Sequence, residues 1–292
     1  MGNVLIPWDV PQPQLSDDVH PALADAARAA SAAYGRARSL HTRLELREEV
    51  ADGADGTPTM LVDRIVEDAI LESIHRSRVN LLSEEAGFVD NGSSITLVID
   101  PVDGSANAAF GVPLSCFAGA LVEDGTAKEA LTTWFDTGRA WHARAGVPTS
   151  FRTTGRTTLD GASLCIMRPK KGTQDAWLRI ANRADRIRVL CTTCLETMLV
   201  AEGTVDAFID PGSDTHRIMD LATALVTVPA AGGVLVDLRG RPFTFEPDLT
   251  HRWSGVAAAT PQLAEELIAT VLGQIVPRDS TTQSGPGNTR PS

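Results

Sequence analysis

The sequence lacks the features that would assign it to several common classes of protein. No run of about 18 apolar residues is present, so we expect no membrane span. The first residues show no basic segment before an apolar one, so we expect no secretory signal and a cytoplasmic location. Acidic residues outnumber basic ones and give a net charge of −11, which argues against nucleic acid as a partner.

Cysteine is also scarce, with four residues in a chain of 292. Cys191 and Cys194 form a CxxC, while Cys116 and Cys165 stand apart from them. A zinc site would need a second such pair or histidines at ligand spacing, and the sequence offers neither. We interpret the cysteines mainly as small apolar core residues, and a redox role for the CxxC is the alternative.

The rest of the composition is that of a globular chain, 43% hydrophobic and 22% charged,. Apolar runs and turn residues predict an α+β first half and, from about residue 162, an alternation of strands and helices typical of α/β structure. The predicted division is an irregular arm over 1–15, an α+β half over 16–155, an α/β half over 156–276 and a disordered tail over 277–292.

Helical periodicity supports several elements within this division. We expect residues 16–18 to cap a first helix that runs through 22–46, and an apolar stripe predicts a second helix over 62–74. The Gly/Asp-rich stretch between them indicates a loop. Later helices are expected over 219–231 and 261–275.

The stretch "LLSEEAGFVDNGSSITLVIDPVDGS" gathers acidic residues unusually closely. It contains Glu84, Glu85, Asp100 and Asp103, whose charges repel one another unless a hard cation holds them together. The segment "DPVDG" alone also has the composition of a turn, which is the alternative interpretation. A metal site and a simple turn are both open at this point.

The end of this strand and the residues after it could bind both a metal ion and an anion. Asp100 ends the apolar strand, and Asp103 follows three residues later, so the stretch offers two carboxylate ligands for a metal ion and a free carbonyl at Val102. Gly104 permits a tight backbone, and Ser105 begins a segment whose amides can meet an anion. The stretch therefore combines metal ligands with a phosphate cradle.

Far downstream, Asp220 begins an Ala-rich segment with helical character. An acid at a helix start also complements the helix dipole, so this position has a structural interpretation as well as a metal-binding one. His216 lies four residues earlier, and we favour a structural role for it over a role at the site.

These blocks resemble those of a known family. "LVIDPVDGSAN", "LLSEEAG" and "MDLATALVTVPAAGG" are similar to the signature blocks of the inositol monophosphatase / fructose-1,6-bisphosphatase-like superfamily. "GADGTPTMLVDRIVEDAI" and "LETMLVAEGTVDAFID" resemble its archaeal-type branch, whose members often hydrolyse inositol monophosphate and fructose 1,6-bisphosphate alike. The resemblance covers about residues 20–275 in order and implies an α+β fold, a layered αβαβα sandwich of the sugar-phosphatase type.

The resemblance also implies roles for particular residues. Two or three Mg²⁺ ions would bind, one to Glu84, Asp100 and the Val102 carbonyl, and a second to Asp100, Asp103 and Asp220. Asp63 would be an acid just outside the metals. The amides of Gly104 and Ser105 would bind the phosphate, and Ser105 Oγ with Glu84 would orient the attacking water.

Departures from the family pattern concentrate at the expected substrate wall. Ser105 stands where Thr is usual, Phe110 where the archaeal type often carries Arg, and Met60 where that type often carries Lys. The CxxC replaces a Gly/Ala-rich stretch beside the pocket. The candidate substrate contacts, including the one dense basic cluster, are Phe110, Arg168, Lys170, Lys171, Glu196 and Arg217.

The sequence therefore predicts a Mg²⁺-dependent phosphatase for a small sugar, cyclitol or nucleoside monophosphate, as an expected homodimer with no nucleic-acid or membrane partner. A fructose-1,6-bisphosphatase or nucleotide phosphatase on the same scaffold is the first alternative. A catalytically silent metal-binding protein is the second, although every inferred ligand carboxylate is retained.

Overall fold

The computed structural model describes residues 9–75 and 77–274, which form alternating layers of helix and sheet. Residues 9–15 form neither helix nor strand, and the irregular arm over 1–15 stays a prediction. The predicted tail over 277–292 lies outside the described residues. Across the described ranges, no helix combines the length and the apolar character needed to cross a membrane.

Short helices and strands make up most of the described chain. The helices are α1 Pro21–Leu40, α2 Arg43–Leu46, α3 Leu61–Ile74, α4 Ser105–Phe110, α5 Gln174–Ala181, α6 Thr193–Ala201, α7 Ile218–Ala222, α8 Ala224–Ala230 and α9 Pro261–Val271. The strands are β1 Glu49–Asp52, β2 Pro58–Met60, β3 Asn80–Ser83, β4 Gly87–Val89, β5 Ile95–Asp103, β6 Cys116–Glu123, β7 Thr126–Trp134, β8 Ala140–Arg144, β9 Ser163–Ile166, β10 Arg186–Arg188, β11 Ala207–Ile209, β12 Val234–Asp237 and β13 Gly255–Ala258.

The first large sheet has six strands in the order β4-β3-β5-β6-β7-β8. Only β3 and β5 run parallel, and the other neighbours are antiparallel. Side chains alternate across it, so Phe117 and Leu121 of β6 pack with α1 and α3 while Ala118 and Ala120 face the opposite layer,. Both faces of this sheet are therefore covered.

The second large sheet has five strands in the order β10-β9-β11-β13-β12. Its inward residues, such as Cys165 and Phe208, share a core with the first sheet and with α6, α7 and α8. Its outward residues, such as Leu164 and Ile209, pack with α5 and α9. The layers run helix, sheet, helix, sheet, helix, which confirms the predicted αβαβα sandwich.

The middle helices are buried by both sheets. All nine residues of α6 are buried, as expected of a helix with no solvent-facing side. The six-stranded sheet lies wholly within 16–155 and the five-stranded sheet within 156–276, and the division into two halves at this point stays a prediction.

The start and length of the first helix differ from expectation. The prediction that residues 16–18 cap it was wrong, because α1 begins at Pro21 and the His20 ring accepts a hydrogen bond from the Ala22 amide (3.2 Å). The helix also ends at Leu40. Thr42 and Glu45 then form a capping box that starts the separate helix α2,.

The stretch expected to be a loop before the second helix is a hairpin. β1 and β2 pair antiparallel across residues 53–57, and these strands are too short and polar to show an alternating pattern. The helix expected over 219–231 is two helices, α7 and α8. Strand β13 was not predicted, since its four residues are all small or apolar and all buried.

A carboxylate on β7 joins the start of α1 to the first sheet. Glu129 accepts a hydrogen bond from the backbone amide of His20 (2.8 Å), and it contacts His142 Nε2 (2.9 Å) and Arg144 Nε (3.2 Å). Burial acts to raise the pKa of Glu129, but these three partners outweigh it and lower the pKa to about 2,.

We predict that Glu129→Gln lowers the free energy of unfolding at pH 7 by about 1–2 kcal/mol. Because the folded pKa is depressed, the stabilisation is complete above the unfolded pKa near 4.5 and is lost as pH falls toward 2,. Chemical denaturation between pH 7 and pH 3 should show the variant and the wild type converging.

Glu123→Gln, an exposed change on the adjoining strand β6, is the matched control and should leave stability unchanged. A gap between Glu129→Gln and wild type that stays constant down to pH 3 would contradict the assignment.

Candidate metal and phosphate site

The irregular end of β5 places two carboxylates at one edge of the first sheet. Asp100 pairs with Ala118 and Asp103 with Cys116, so three steps on β5 oppose two on β6. This bulge follows from Pro101, which cannot donate a hydrogen bond to the ladder. Both carboxylates are at least nine-tenths buried, and the turn-like composition of "DPVDG" serves to present them.

Glu84 and Asp220 meet Asp100 at this edge. Ser83 is the register partner of Ile99 in the parallel pair β3–β5, so Glu84 leaves its strand beside Asp100. Asp220 comes from α7, which packs against β5. Ligand oxygens of Glu84, Asp100 and Asp220 all lie within 4.8 Å of one another, so the structure brings together these predicted ligands.

Crowding makes the ionised form of these acids costly. Burial, followed by the charges of Asp103 and Glu84, raises the pKa of Asp100 well above its usual range. Burial likewise raises the pKa of Glu84 well above its usual range, although Arg217 opposes this. A divalent cation would reverse both effects. Converging carboxylate oxygens of this kind are the ligands that hard cations prefer, so the residues fit a metal centre.

Asp103 is held in place from the start of α6. Its Oδ2 accepts hydrogen bonds from Thr192 Oγ1 and from the backbone amide of Cys194, both at 2.7 Å. Burial still raises the pKa of Asp103 to about 6. The sequence analysis missed the role of Thr192, and the CxxC beside the expected pocket was the one signal for it.

Arg217 lies among the metal-ligand candidates. Its guanidinium contacts Glu84 Oε1 (2.7 Å) and Asp220 Oδ1 (3.8 Å), and it also pairs with Asp55. The backbone amide of Arg217 donates to Asp220 Oδ2 (2.7 Å). The structure thus pairs this predicted substrate contact with the carboxylates themselves.

Asp55 and Thr57 are site residues that the sequence analysis did not single out. They lie in the turn of the β1–β2 hairpin, where Thr57 Oγ1 donates to Asp55 Oδ1 (2.7 Å) and accepts from Arg217 Nη2 (3.1 Å). Arg252 approaches Asp55 from another side (3.3 Å). The segment "GADGTPT" that carries both residues was noticed only as part of a resemblance.

The predicted phosphate cradle contains a glycine that its backbone geometry requires. Gly104 has φ +84°, and a Cβ there would lie 2.8 Å from the Leu114 carbonyl oxygen, so no other residue fits without a shift. Ser105 begins α4, and its Oγ donates to the Val102 carbonyl (2.9 Å). The amides of Gly104 and Ser105 therefore stand next to Asp103.

Asp63 supports the cradle from α3. It is buried and accepts a hydrogen bond from the Met60 amide (3.3 Å). Burial raises the pKa of Asp63 to about 7, against a hydrogen bond with the Ser105 hydroxyl. Asp63 therefore places α3 next to Ser105.

The remaining residues predicted to contact the substrate differ in how exposed they are to solvent. Phe110 is 47% exposed, and the Arg47 guanidinium stacks 4.1 Å from its ring centroid. Lys170 lies near enough to Asp210 and Asp220 to feel their charges, although burial lowers its pKa. The exposed candidates of the same basic loop are Arg168 and Lys171.

Three other residues have clear structural partners. The buried Glu196 accepts a hydrogen bond from the Leu190 amide (3.1 Å), and burial raises its pKa to about 8. Glu85 pairs with the Thr59 hydroxyl. His216 is buried between Thr193 Oγ1 (3.1 Å) and the Gly255 amide (3.3 Å), as expected for a structural histidine.

We predict that Arg217→Gln destabilises the metal-free protein by about 3 kcal/mol, because it leaves buried carboxylates without their cation. Added divalent cation should then stabilise this variant more than the wild type, since Arg217 no longer competes for Glu84 and Asp220. Thermal unfolding with and without Mg²⁺ measures both effects.

Arg252→Gln is the matched control, because among the carboxylates of the site Arg252 contacts Asp55 alone. It should destabilise less and leave the Mg²⁺ response as in wild type. Equal Mg²⁺ stabilisation of Arg217→Gln and wild type would refute a shared site.

Comparison with known proteins agrees with this geometry. A sequence model of the Inositol monophosphatase family matches residues 17–276. The chain is 32% identical over 248 residues to a fructose-1,6-bisphosphatase/inositol-1-monophosphatase of Methanothermobacter thermautotrophicus, covering 77% of this chain and 87% of that protein. It is 30% identical over 228 residues to the protein of the same description from Thermococcus kodakarensis, covering 76% and 86%.

Solved structures show the same arrangement of layers. The MJ0109 gene product, an inositol monophosphatase–fructose 1,6-bisphosphatase, superposes with a TM-score of 0.70 at 25% identity, covering 78% of this chain and 92% of that one. The match of the family model to most of the chain and the convergence of its acidic blocks at one sheet edge lead to one conclusion. This chain belongs to the inositol monophosphatase family.

Proposed function

We propose that this phosphatase uses Mg²⁺ to hydrolyse a small sugar, cyclitol or nucleoside monophosphate by attack of water. The observation that carries the proposal is the convergence of Glu84, Asp100 and Asp220 within 4.8 Å, next to Asp103 and its phosphate cradle. Relatives described as phosphatases of sugar or cyclitol phosphates support the reaction type.

The proposed ligand sets are the ones that the family resemblance implies. Glu84, Asp100 and the Val102 carbonyl would hold one ion, and Asp100, Asp103 and Asp220 a second, with two or three ions in all. Bound divalent cations supply a nucleophilic water at neutral pH and neutralise charge on the leaving oxygen. The Val102 carbonyl accepts from Ser105 Oγ and retains a second lone pair for a cation.

The chain itself binds the phosphate and orients the water. The amides of Gly104 and Ser105 would donate to phosphate oxygens, as backbone amides do at such turns. Ser105 Oγ and Glu84 would position the attacking water, and the buried Asp63 lies beside Ser105. The proposal requires no nucleophilic side chain, because water is the nucleophile.

Two observations bear on the substrate. Phe110 offers no hydrogen-bond donor where a second phosphate would need one, which favours a monophosphate. Arg47 on the Phe110 ring and Lys170 near Asp220 supply positive charge at the rim, which favours fructose 1,6-bisphosphate or a nucleotide as the alternative. We give more weight to Phe110, since Arg47 is exposed and already stacked on that ring.

The proposal also covers location, oligomeric state and the remaining substrate contacts. A cytoplasmic homodimer acting on a small phosphorylated metabolite is the form we expect. A silent metal-binding protein is disfavoured because every carboxylate inferred as a ligand is retained and buried or half-buried. Arg168, Lys171 and Glu196 stay predicted substrate contacts, and Glu196 would act through the loop amide that it binds.

We predict that hydrolysis of phosphomonoesters requires Mg²⁺, and that Asp103→Asn lowers kcat about 10²–10³-fold while preserving the fold. The physical reason is the loss of one charge that would hold a cation against the phosphate. Steady-state rates across Mg²⁺ concentrations, with circular dichroism for the fold, give the result.

Asp124→Asn in the β6–β7 turn is the matched control, and wild-type kinetics are expected for it. Full activity of the wild type after treatment with chelator would sink the metal proposal, and a near-wild-type rate for Asp103→Asn would show that Asp103 only shapes the turn.

We predict a higher kcat/KM for a sugar, cyclitol or nucleoside monophosphate than for fructose 1,6-bisphosphate. A phosphate-release assay over a panel of both classes measures this ratio. A preference for the bisphosphate that disappears when Arg168, Lys170 and Lys171 are replaced by Ala would instead establish the bisphosphatase alternative.

A further inference from the structure

A thiol lies among the carboxylates of the second proposed metal position. Cys194 Sγ and ligand oxygens of Asp100 and Asp103 all lie within 4.8 Å of one another. Zinc binds its ligands tetrahedrally, and a Zn–S distance of about 2.3 Å with a Zn–O distance of about 2.1 Å separates sulfur from oxygen by roughly 3.6 Å, so the observed spacing needs side-chain shifts of about 1 Å at most. The thiol is therefore placed to share an ion with these carboxylates.

The fold fixes this thiol in position. Cys194 is fully buried, and its backbone amide donates to Asp103 Oδ2 (2.7 Å). Its Sγ donates to the Asp220 carbonyl oxygen (3.4 Å), so the sulfur lies between the two segments that carry Asp103 and Asp220. The carboxylates and the thiol are thus parts of one built cluster.

The chemistry of sulfur differs from that of the surrounding oxygens. Mg²⁺ takes oxygen ligands and gains nothing from a thiol, whereas Zn²⁺ and Cd²⁺ bind thiolate strongly. A thiol that enters the coordination of such an ion gives up its proton to solvent and binds as thiolate. The same cluster would then hold a soft ion more tightly than a hard one.

We propose that Cys194 makes the second metal position a binding site for thiophilic divalent cations, Zn²⁺ above all, in competition with Mg²⁺. Asp100 and Asp103 supply the oxygen ligands and Cys194 the sulfur. The inference rests on the proposed metal centre. It concerns which ion the centre selects, and its test measures ion binding rather than hydrolysis.

The test titrates Cd²⁺, a spectroscopic substitute for Zn²⁺, into the metal-free full-length protein. Ultraviolet difference spectra report the thiolate-to-cadmium charge-transfer band, and calorimetry gives Kd for Cd²⁺ and for Mg²⁺. Wild type should show the band, and added Mg²⁺ should raise the apparent Kd for Cd²⁺. Cys194→Ser, which keeps the size of the side chain, should lose the band and lower the ratio of Cd²⁺ to Mg²⁺ affinity at least about tenfold.

Two other cysteines provide the controls. Cys191→Ser changes the exposed thiol of the same CxxC, and Cys116→Ser changes a buried thiol 3.8 Å from Asp103 Oδ2. Both variants should keep the band. Loss of the band in either of them but not in Cys194→Ser would overturn the assignment to Cys194.

An apparent Kd for Cd²⁺ that stays constant as the Mg²⁺ concentration is raised would place the sulfur site away from the metal centre and would also overturn the proposal. Because Cd²⁺ binding is read without substrate, an inactive protein that shows the band refutes the phosphatase proposal alone. An active Mg²⁺-dependent protein without the band refutes this inference alone.

Discussion

Mutual repulsion among buried carboxylates is the constraint on which the rest of the site depends. Glu84, Asp100, Asp103 and Asp220 meet at one sheet edge, and burial raises the pKa of the first three of these acids,. Part of the cost is offset by Arg217 and by the donors from Thr192 and Cys194. Cations bound at the proposed metal centre would offset the remainder and would tie the stability of the protein to its chemistry.

Strand pairing and the middle helices bring the acidic residues together at this sheet edge. The parallel pair β3–β5 sends Glu84 and Asp100 out on the same side, and the bulge at Pro101 lets Asp103 follow. The middle helices α6 and α7 then bring Thr192, Cys194 and Asp220 from the second half of the chain. Both halves are therefore needed to complete one set of ligands.

The predicted substrate contacts are under weaker structural constraints than the predicted metal ligands. Metal ligands are constrained by distance and charge, and all of those inferred are present. The predicted substrate contact Phe110 is exposed and faces a weaker constraint, and it is one of the positions where this chain departs from the pattern of its family. The thiol of Cys194 is a departure of another kind, because it lies at the metal centre itself.

The sequence by itself determined the family and the acidic residues that converge, because both depend on local motifs, and the resemblance to that family then implied the αβαβα layering. It did not reveal the β1–β2 hairpin, strand β13, the break between α7 and α8, or the split of the first helix. Those elements are short, and their pairing partners decide them rather than any periodic pattern. Tertiary structure alone decided that Arg217 pairs with Asp55 and Glu84, and that Thr192 and Cys194 hold Asp103. Such contacts join segments from 89 to 162 residues apart, and no local signal in a single sequence specifies them, because packing of the two sheets on the middle helices sets the distance between them.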